Sequence, residues 1–382
     1  MSIRKKALYI SYGAAISEEI LRRSHYVDVG GVLYVFYALL ALACGAAFLK
    51  TVLDFVNGKL PRKCLVVFIA GAAYFVFLFL RGQFDAVMLL WVFIAASWDC
   101  DFKKLVKICA VTTILTLVFV YLSSAAGIID NTVKTRMRDE VEYNRNGIGF
   151  IQAYQAQYFL FFSQLAWFYW RKEKLTWYEM ISFAAIVGLI YWQSDTRGPF
   201  YLSCILTAAA AVLKLLPQLR KCRKLYEYMA IVMPPLSALL VYVQGKFVKP
   251  TVNEFWREFN EKMTTRLQLN YDGLHKYGVS FFGKPIEWIA GLEGQKGTYN
   301  WVDSVYLYSL LSYGIPFIAG FFAITTYLGI KAWKKRDTYM MIALILIAVL
   351  GLWDNYCFRV ECNPFYLFFA YAGTKSEEEL YI

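Results

Sequence analysis

The chain is 382 residues long, 59% hydrophobic and 18% charged, with a mean hydropathy of +0.44, a balance that excludes an ordinary soluble domain and makes a membrane protein the default. A formal net charge of +12 would point to nucleic acid in a soluble protein, but the basic residues stand in short clusters between apolar spans, where they orient a chain in a bilayer, so nucleic acid is not an expected partner. The eight cysteines show no CxxC spacing and no Cys/His pairing, so neither a disulfide framework nor a metal or other cofactor is expected. Cys44, Cys64, Cys109 and Cys204 read as small packing residues, and Cys357 with Cys362 is the one pair worth an oxidation test.

The first 30 residues are basic but have no uninterrupted apolar core, being broken by Glu18, Glu19, Arg22 and Arg23, so no cleaved signal is expected. This segment reads as an interfacial helix or a partial span. A bilayer core about 30 Å thick needs roughly 20 helical residues. Runs approaching that length fall at 31–49, 64–80, 84–98, 105–129, 148–170, 177–192, 199–216, 225–243, 304–330, 338–353 and 358–372, about eleven spans, with the third and last short. The predicted fold is therefore an all-α polytopic membrane bundle: spans 1–8 in residues 31–244, a large external loop at 245–302, spans 9–11 in residues 303–372, and a cytoplasmic tail at 373–382.

Basic clusters decide orientation. Arg171/Lys172/Lys174, Arg220/Lys221/Arg223/Lys224 and Lys331/Lys334/Lys335/Arg336 punctuate alternate loops and place them in the cytoplasm. Segments 130–147, 193–198, 245–302 and 354–357 then share the external face, which becomes the functional one. Lys103/Lys104 and Lys59/Arg62/Lys63 also fall inside, which leaves the N-terminus external despite Arg4, Lys5 and Lys6; either residues 7–20 enter the membrane partway or one short early run does not cross. In the large loop, Val252, Phe255, Trp256, Phe259 and Met263 recur at helical spacing, an amphipathic lid lying against the spans or the lipid surface.

An arginine at a span end needs a reason, because a charge inside a bilayer is costly. Arg197 lies in Gln193-Ser194-Asp195-Thr196-Arg197-Gly198-Pro199, where one span ends and the next begins; a guanidinium at a helix N-terminus is an anion site, and snorkelling or pairing with Asp195 is the plainer alternative. Arg145, followed by Asn146-Gly147-Ile148-Gly149-Phe150, and Arg266, after Thr264-Thr265, fall on the same predicted face. Asp303, before Ser304-Val305-Tyr306-Leu307, is either a general base or a helix cap, and capping is the expectation from position alone. His275 and His25 read as solvated or bonded histidines. Tyr271, Trp288, Tyr299, Trp301 and Tyr306 are candidates to stack on a bound ring or to anchor the interface.

The order Arg145-Asn-Gly-Ile-Gly-Phe150, Ser194-Asp-Thr-Arg197-Gly, Thr265-Arg266-Leu267, Asp303-Ser-Val-Tyr-Leu and Tyr313-Gly-Ile resembles the O-antigen polymerase and ligase superfamily, most closely the Wzy-type oligosaccharide repeat-unit polymerases. The likeness covers the latter two-thirds of the chain. It implies a GT-C-like, metal-independent glycosyltransferase of the bacterial cytoplasmic membrane, acting on its periplasmic or extracellular face. Donor and acceptor would be polyprenyl-diphosphate-linked oligosaccharides, with a chain-length regulator and a flippase as further partners. By resemblance Arg197 and Arg266 contact the diphosphate, Asp303 is the catalytic base, and Arg145, Asn146, Asp195 and Tyr306 bind substrate. The sequence departs from the family in having Gln152 and Gln155 after the glycine-phenylalanine pair, and Ser304 after Asp303, where asparagine is frequent. Asp303 stands where ligases tend to carry histidine, which favours polymerase over ligase. A transporter is the alternative from another class, with Pro234-Pro235 as a hinge.

Overall fold

The computed structural model describes residues 2–60, 62–83, 86–138, 141–221, 223–289 and 299–371, and helix dominates them. In chain order the helices are α1 (Ile3–Arg22), α2 (Val32–Val56), α3 (Arg62–Leu80), α4 (Ala86–Ala96) and α5 (Phe102–Ala125), then a hairpin of β1 (Val133–Arg138) and β2 (Val141–Asn146). There follow α6 (Gln155–Arg171), α7 (Trp177–Ser194), α8 (Arg197–Leu215), α9 (Arg223–Phe247), α10 (Glu254–Lys262), α11 (Arg266–Tyr277), α12 (Val305–Ser312), α13 (Ile315–Lys334) and α14 (Thr338–Leu350). Their starts are set by local chemistry. Asp101 accepts from the Lys104 amide, Thr176 and Glu179 form a reciprocal capping box, and Asp337 accepts from the Met340 amide, each satisfying N–H groups that the helix leaves open.

Among the described residues five helices are long and apolar enough to cross a bilayer: α2, α5, α8, the Tyr226–Phe247 part of α9, and α13. This is an all-α membrane protein, and among the described residues fewer helices reach full spanning length than there are hydropathy runs. Three differences have local causes. α4 has 11 residues and α14 has 13, which at 1.5 Å per residue reach only about 16 and 20 Å. The run at 304–330 is broken at Gly314, whose φ of 86° only glycine adopts readily, and Pro316 opens α13 as a new helix. The described residues of the last run, 358–371, form no α-helix: Asn363 and Pro364 interrupt it, the Asn363 side chain accepts from the Phe365 amide, and a 3-10 turn (Phe365–Tyr371) follows. The loop at 130–147 contains the antiparallel hairpin, a departure from the all-helical expectation, with Lys134 opposite Arg145 and Thr135 opposite Asn144.

Contacts divide the chain into two units, residues 1–70, 87–222 and 359–382, and residues 71–86 and 223–358. In the first, α1 packs on α2 and α5, α5 on α6, α6 on α7 and α8, and β2 against α7. α1 buries one face, including two acidic residues. Glu18 and Glu19 are buried; Arg22 pairs with both, and Arg23 and Arg359 also pair with Glu19. Within α2, buried Lys50 reaches Asp54 at 2.8 Å and Asp99 at 2.7 Å, so the charge in this apolar helix is paired. Cys357 and Cys362 are both buried. In the second unit α9 is central, contacting α11, α12, α13 and α14, and it runs continuously through Pro234 and Pro235. α10 buries none of its residues, and Val252, Phe255 and Phe259 present an uncovered apolar face.

Candidate functional site

In the first unit, packing of β2 against α7 carries Arg145 to the turn that joins α7 to α8. Its Nε donates to the Ser194 carbonyl at 2.8 Å and its Nη2 to Thr196 Oγ1 at 3.2 Å. The turn is conformationally strained, with Asp195 in the left-handed region at φ 45°, ψ 44°, a cost of about 1–3 kcal/mol for a non-glycine residue. Thr196 occupies the N-cap of α8 but makes no capping bond; its hydroxyl donates to the Ser194 carbonyl and receives Arg145. The first N–H groups of α8 therefore lack a side-chain cap. Ser194 Oγ is buried and has no hydrogen-bond partner among the described residues.

Arg197 begins α8. Its side chain is 42% exposed, and the nearest carboxylate oxygen, Asp195 Oδ1, stands 3.9 Å from its Nε, too far for a hydrogen bond. A helix N-terminus, a loosely held guanidinium and a hydroxyl with an unused donor together match the needs of a phosphate oxygen. Asn146 Oδ1 accepts from the Ile148 amide, shaping a turn in which Ile148 and Gly149 both have positive φ. A Cβ on Gly149 would lie 2.9 Å from Ser124 Cβ, which is why that turn seats so closely on α5.

The second unit holds Arg266 and Asp303. Thr264 and Thr265 sit at φ 56° and 64°, two successive β-branched residues in a region they rarely occupy, and this kink between α10 and α11 makes Arg266 the first residue of α11. Arg266 Nη1 donates to Thr264 Oγ1 at 2.5 Å, and its Nε lies 3.0 Å from Asp303 Oδ2. Asp303 is not the cap of α12. Ser304 holds that position, with its hydroxyl on the Gly351 carbonyl, and the Asp303 carboxylate turns to Arg266 instead. Burial pushes the Asp303 carboxyl above the ordinary carboxylate range, and the Arg266 guanidinium opposes that rise without cancelling it.

Tyr306 is buried and its hydroxyl donates to the Ala348 carbonyl at 2.8 Å, tying α12 to α14. His275 Nδ1 donates to the Tyr271 carbonyl at 2.8 Å and its ring stacks on the Tyr271 ring, and His25 is held between Asp28 and Thr132. Among the described residues no group of three or more His, Cys, Asp or Glu side chains is arranged to hold a metal ion. Sequence reasoning passed over Arg81 and Gln83, although an Arg-Gly-Gln break between two apolar runs is the same kind of signal that singled out Arg197. No family model, no curated protein and no solved structure matches this chain.

Proposed function

We propose that the protein is a membrane glycosyltransferase that polymerises polyprenyl-diphosphate-linked oligosaccharide repeat units into a surface polysaccharide on the external face of the cytoplasmic membrane. The observation that carries this reading is the start of α8, where an exposed arginine with only a distant carboxylate stands at an uncapped helix N-terminus braced by Arg145. In the transfer, the anomeric C–O bond to the diphosphate breaks and its electron pair leaves with the diphosphate. The acceptor hydroxyl oxygen bonds to the anomeric carbon from the opposite face, inverting it, and its proton goes to a base. Arg197 is assigned to the growing negative charge, in the role a divalent cation plays elsewhere. Asp303 is assigned as base; its raised pKa strengthens it for that task, and Arg266 orients it.

Purified protein supplied with lipid-linked repeat units in detergent is the direct test, because chain growth needs no sealed compartment whereas transport does. Elongation on a gel, persisting in excess EDTA, is the expected result. Growth abolished by EDTA and restored by magnesium or manganese would remove the arginine assignment while leaving the enzyme class. Absence of growth together with substrate crossing in sealed vesicles would establish a transporter.

A further inference from the structure

The second unit contains a cleft of about 470 Å3 to which no role has been assigned, within the size range of ligand pockets. One wall is aromatic. Trp288 and Tyr308 lie 5.2 Å apart between ring centroids, and the Trp288 indole is locked by a 2.9 Å bond from Nε1 to Ser312 Oγ. The polar part of the lining is formed by Arg81, Gln83, Lys284 and Glu287.

The wall is also rigid. A Cβ on Gly283 would lie 2.0 Å from the Ser312 carbonyl oxygen, so the two chain segments meet backbone to backbone. The Gln83 amide nitrogen donates to the Lys284 carbonyl at 2.7 Å and to that of Ser312.

The charges narrow the ligand. Arg81 spends its guanidinium on the Phe282 and Gly283 carbonyls, and Lys284 its ammonium on the Tyr277 carbonyl, so both cations serve mainly to hold the wall. Glu287 is exposed and contributes negative charge. That combination does not suit a polyanion. Gln83 is only 8% exposed, and its Oε1 has no hydrogen-bond partner among the described residues, an acceptor that awaits an O–H or N–H donor. Aromatic faces and fixed hydrogen-bonding groups lining one cleft suit a ring with apolar C–H faces and a rim of hydroxyls. We infer that this cleft binds a neutral saccharide.

Its position fits the proposed chemistry, and to that extent the assignment to the growing glycan rests on the polymerase reading. Asp303 precedes α12, Tyr308 lies along it and Ser312 ends it, and eight residues at 1.5 Å rise span roughly 12 Å, so a short oligosaccharide can touch both ends.

The test uses the full-length protein in nanodiscs, titrated calorimetrically and by saturation-transfer NMR with chitobiose, lactose and maltose. At least one is expected to bind with a Kd on the order of 1 mM, and Trp288→Ala is expected to weaken it about tenfold. Glu287→Gln leaves every bond within the wall intact and is expected to weaken binding several-fold, which keeps the test decisive if Trp288→Ala fails to fold. Failure of all three disaccharides to bind, or binding indifferent to Glu287→Gln and to folded Trp288→Ala, would overturn the inference. Saccharide binding that these variants weaken, in a protein that never elongates lipid-linked units, would keep the cleft and remove the polymerase. Elongation without variant-sensitive binding would do the reverse.

Discussion

Replacing Arg145 tests whether the α7–α8 turn is a built site. Two bonds run from its guanidinium to Ser194 and Thr196, and a hydrogen bond involving a charged group contributes about 1.5–3 kcal/mol. Both are partly solvated, so the pair together is discounted to roughly 2–4 kcal/mol. That is set against the strain of about 1–3 kcal/mol held in Asp195 at φ 45°. The bonds outweigh the strain by a narrow margin, so Arg145→Ala should let the turn relax and Arg197 drift. A misplacement of about 1 Å costs around a hundredfold in rate. Chain growth from purified lipid-linked units, measured at several concentrations, is therefore expected to show kcat falling about a hundredfold with KM changed less than about threefold. Arg145→Lys, which can reach only one of the two acceptors, should fall between the wild type and the alanine variant. A wild-type rate from the alanine variant would refute the reasoning. A loss confined to KM would show that Arg145 binds substrate directly and does not position Arg197.

At Arg197 itself, lysine should fail nearly as badly as alanine, since a point charge cannot reproduce a two-pronged contact with a diphosphate; full-length polymer from Arg197→Ala at normal expression would end the anion-site assignment. If Asp303 is the base, it must be ionised, so the acid limb of kcat/KM should lie above the ordinary carboxylate value of about 3.9, and Arg266→Gln, which removes the opposing cation, should move that limb to higher pH. The sign for stability is opposite: because the folded-state pKa is raised, Asp303 contributes stability below its unfolded pKa and loses it as pH rises through the folded value, which thermal unfolding against pH will read. Gly314→Ala places a Cβ 2.2 Å from the Phe281 carbonyl oxygen at a φ of 86° and should cost about 3 kcal/mol or more, whereas Gly320→Ala, with open space in mid-helix, should be neutral or stabilising by up to about 1 kcal/mol. Thermal melts of the two variants check this, and equal melting points would contradict the packing described for Gly314.

Much of the architecture is legible in single residues and short windows. Hydropathy alone identifies α2, α5, α8, α9 and α13, because lipid-facing surface must be apolar whatever packs on the other side. Capping residues such as Asp101, Thr176 and Asp337 mark helix starts for equally local reasons. The Ser194-to-Pro199 segment is recognisable as a helix start carrying an arginine, since the residues that make it one are contiguous. Tertiary structure decided what long-range partners do. Glu18 and Glu19 look like surface residues until Arg359, 340 residues away, supplies an ion pair that lets Glu19 be buried in the protein interior. Asp303 reads as a cap until Arg266 is brought to 3.0 Å by a kink at Thr264 and Thr265 that no propensity favours. The same holds for Arg145, whose task depends on β2 lying against α7. Periodicity and hydropathy report how a residue meets solvent or lipid, but a charge is placed by the free energy of its partner, and that partner is fixed only when the chain has folded.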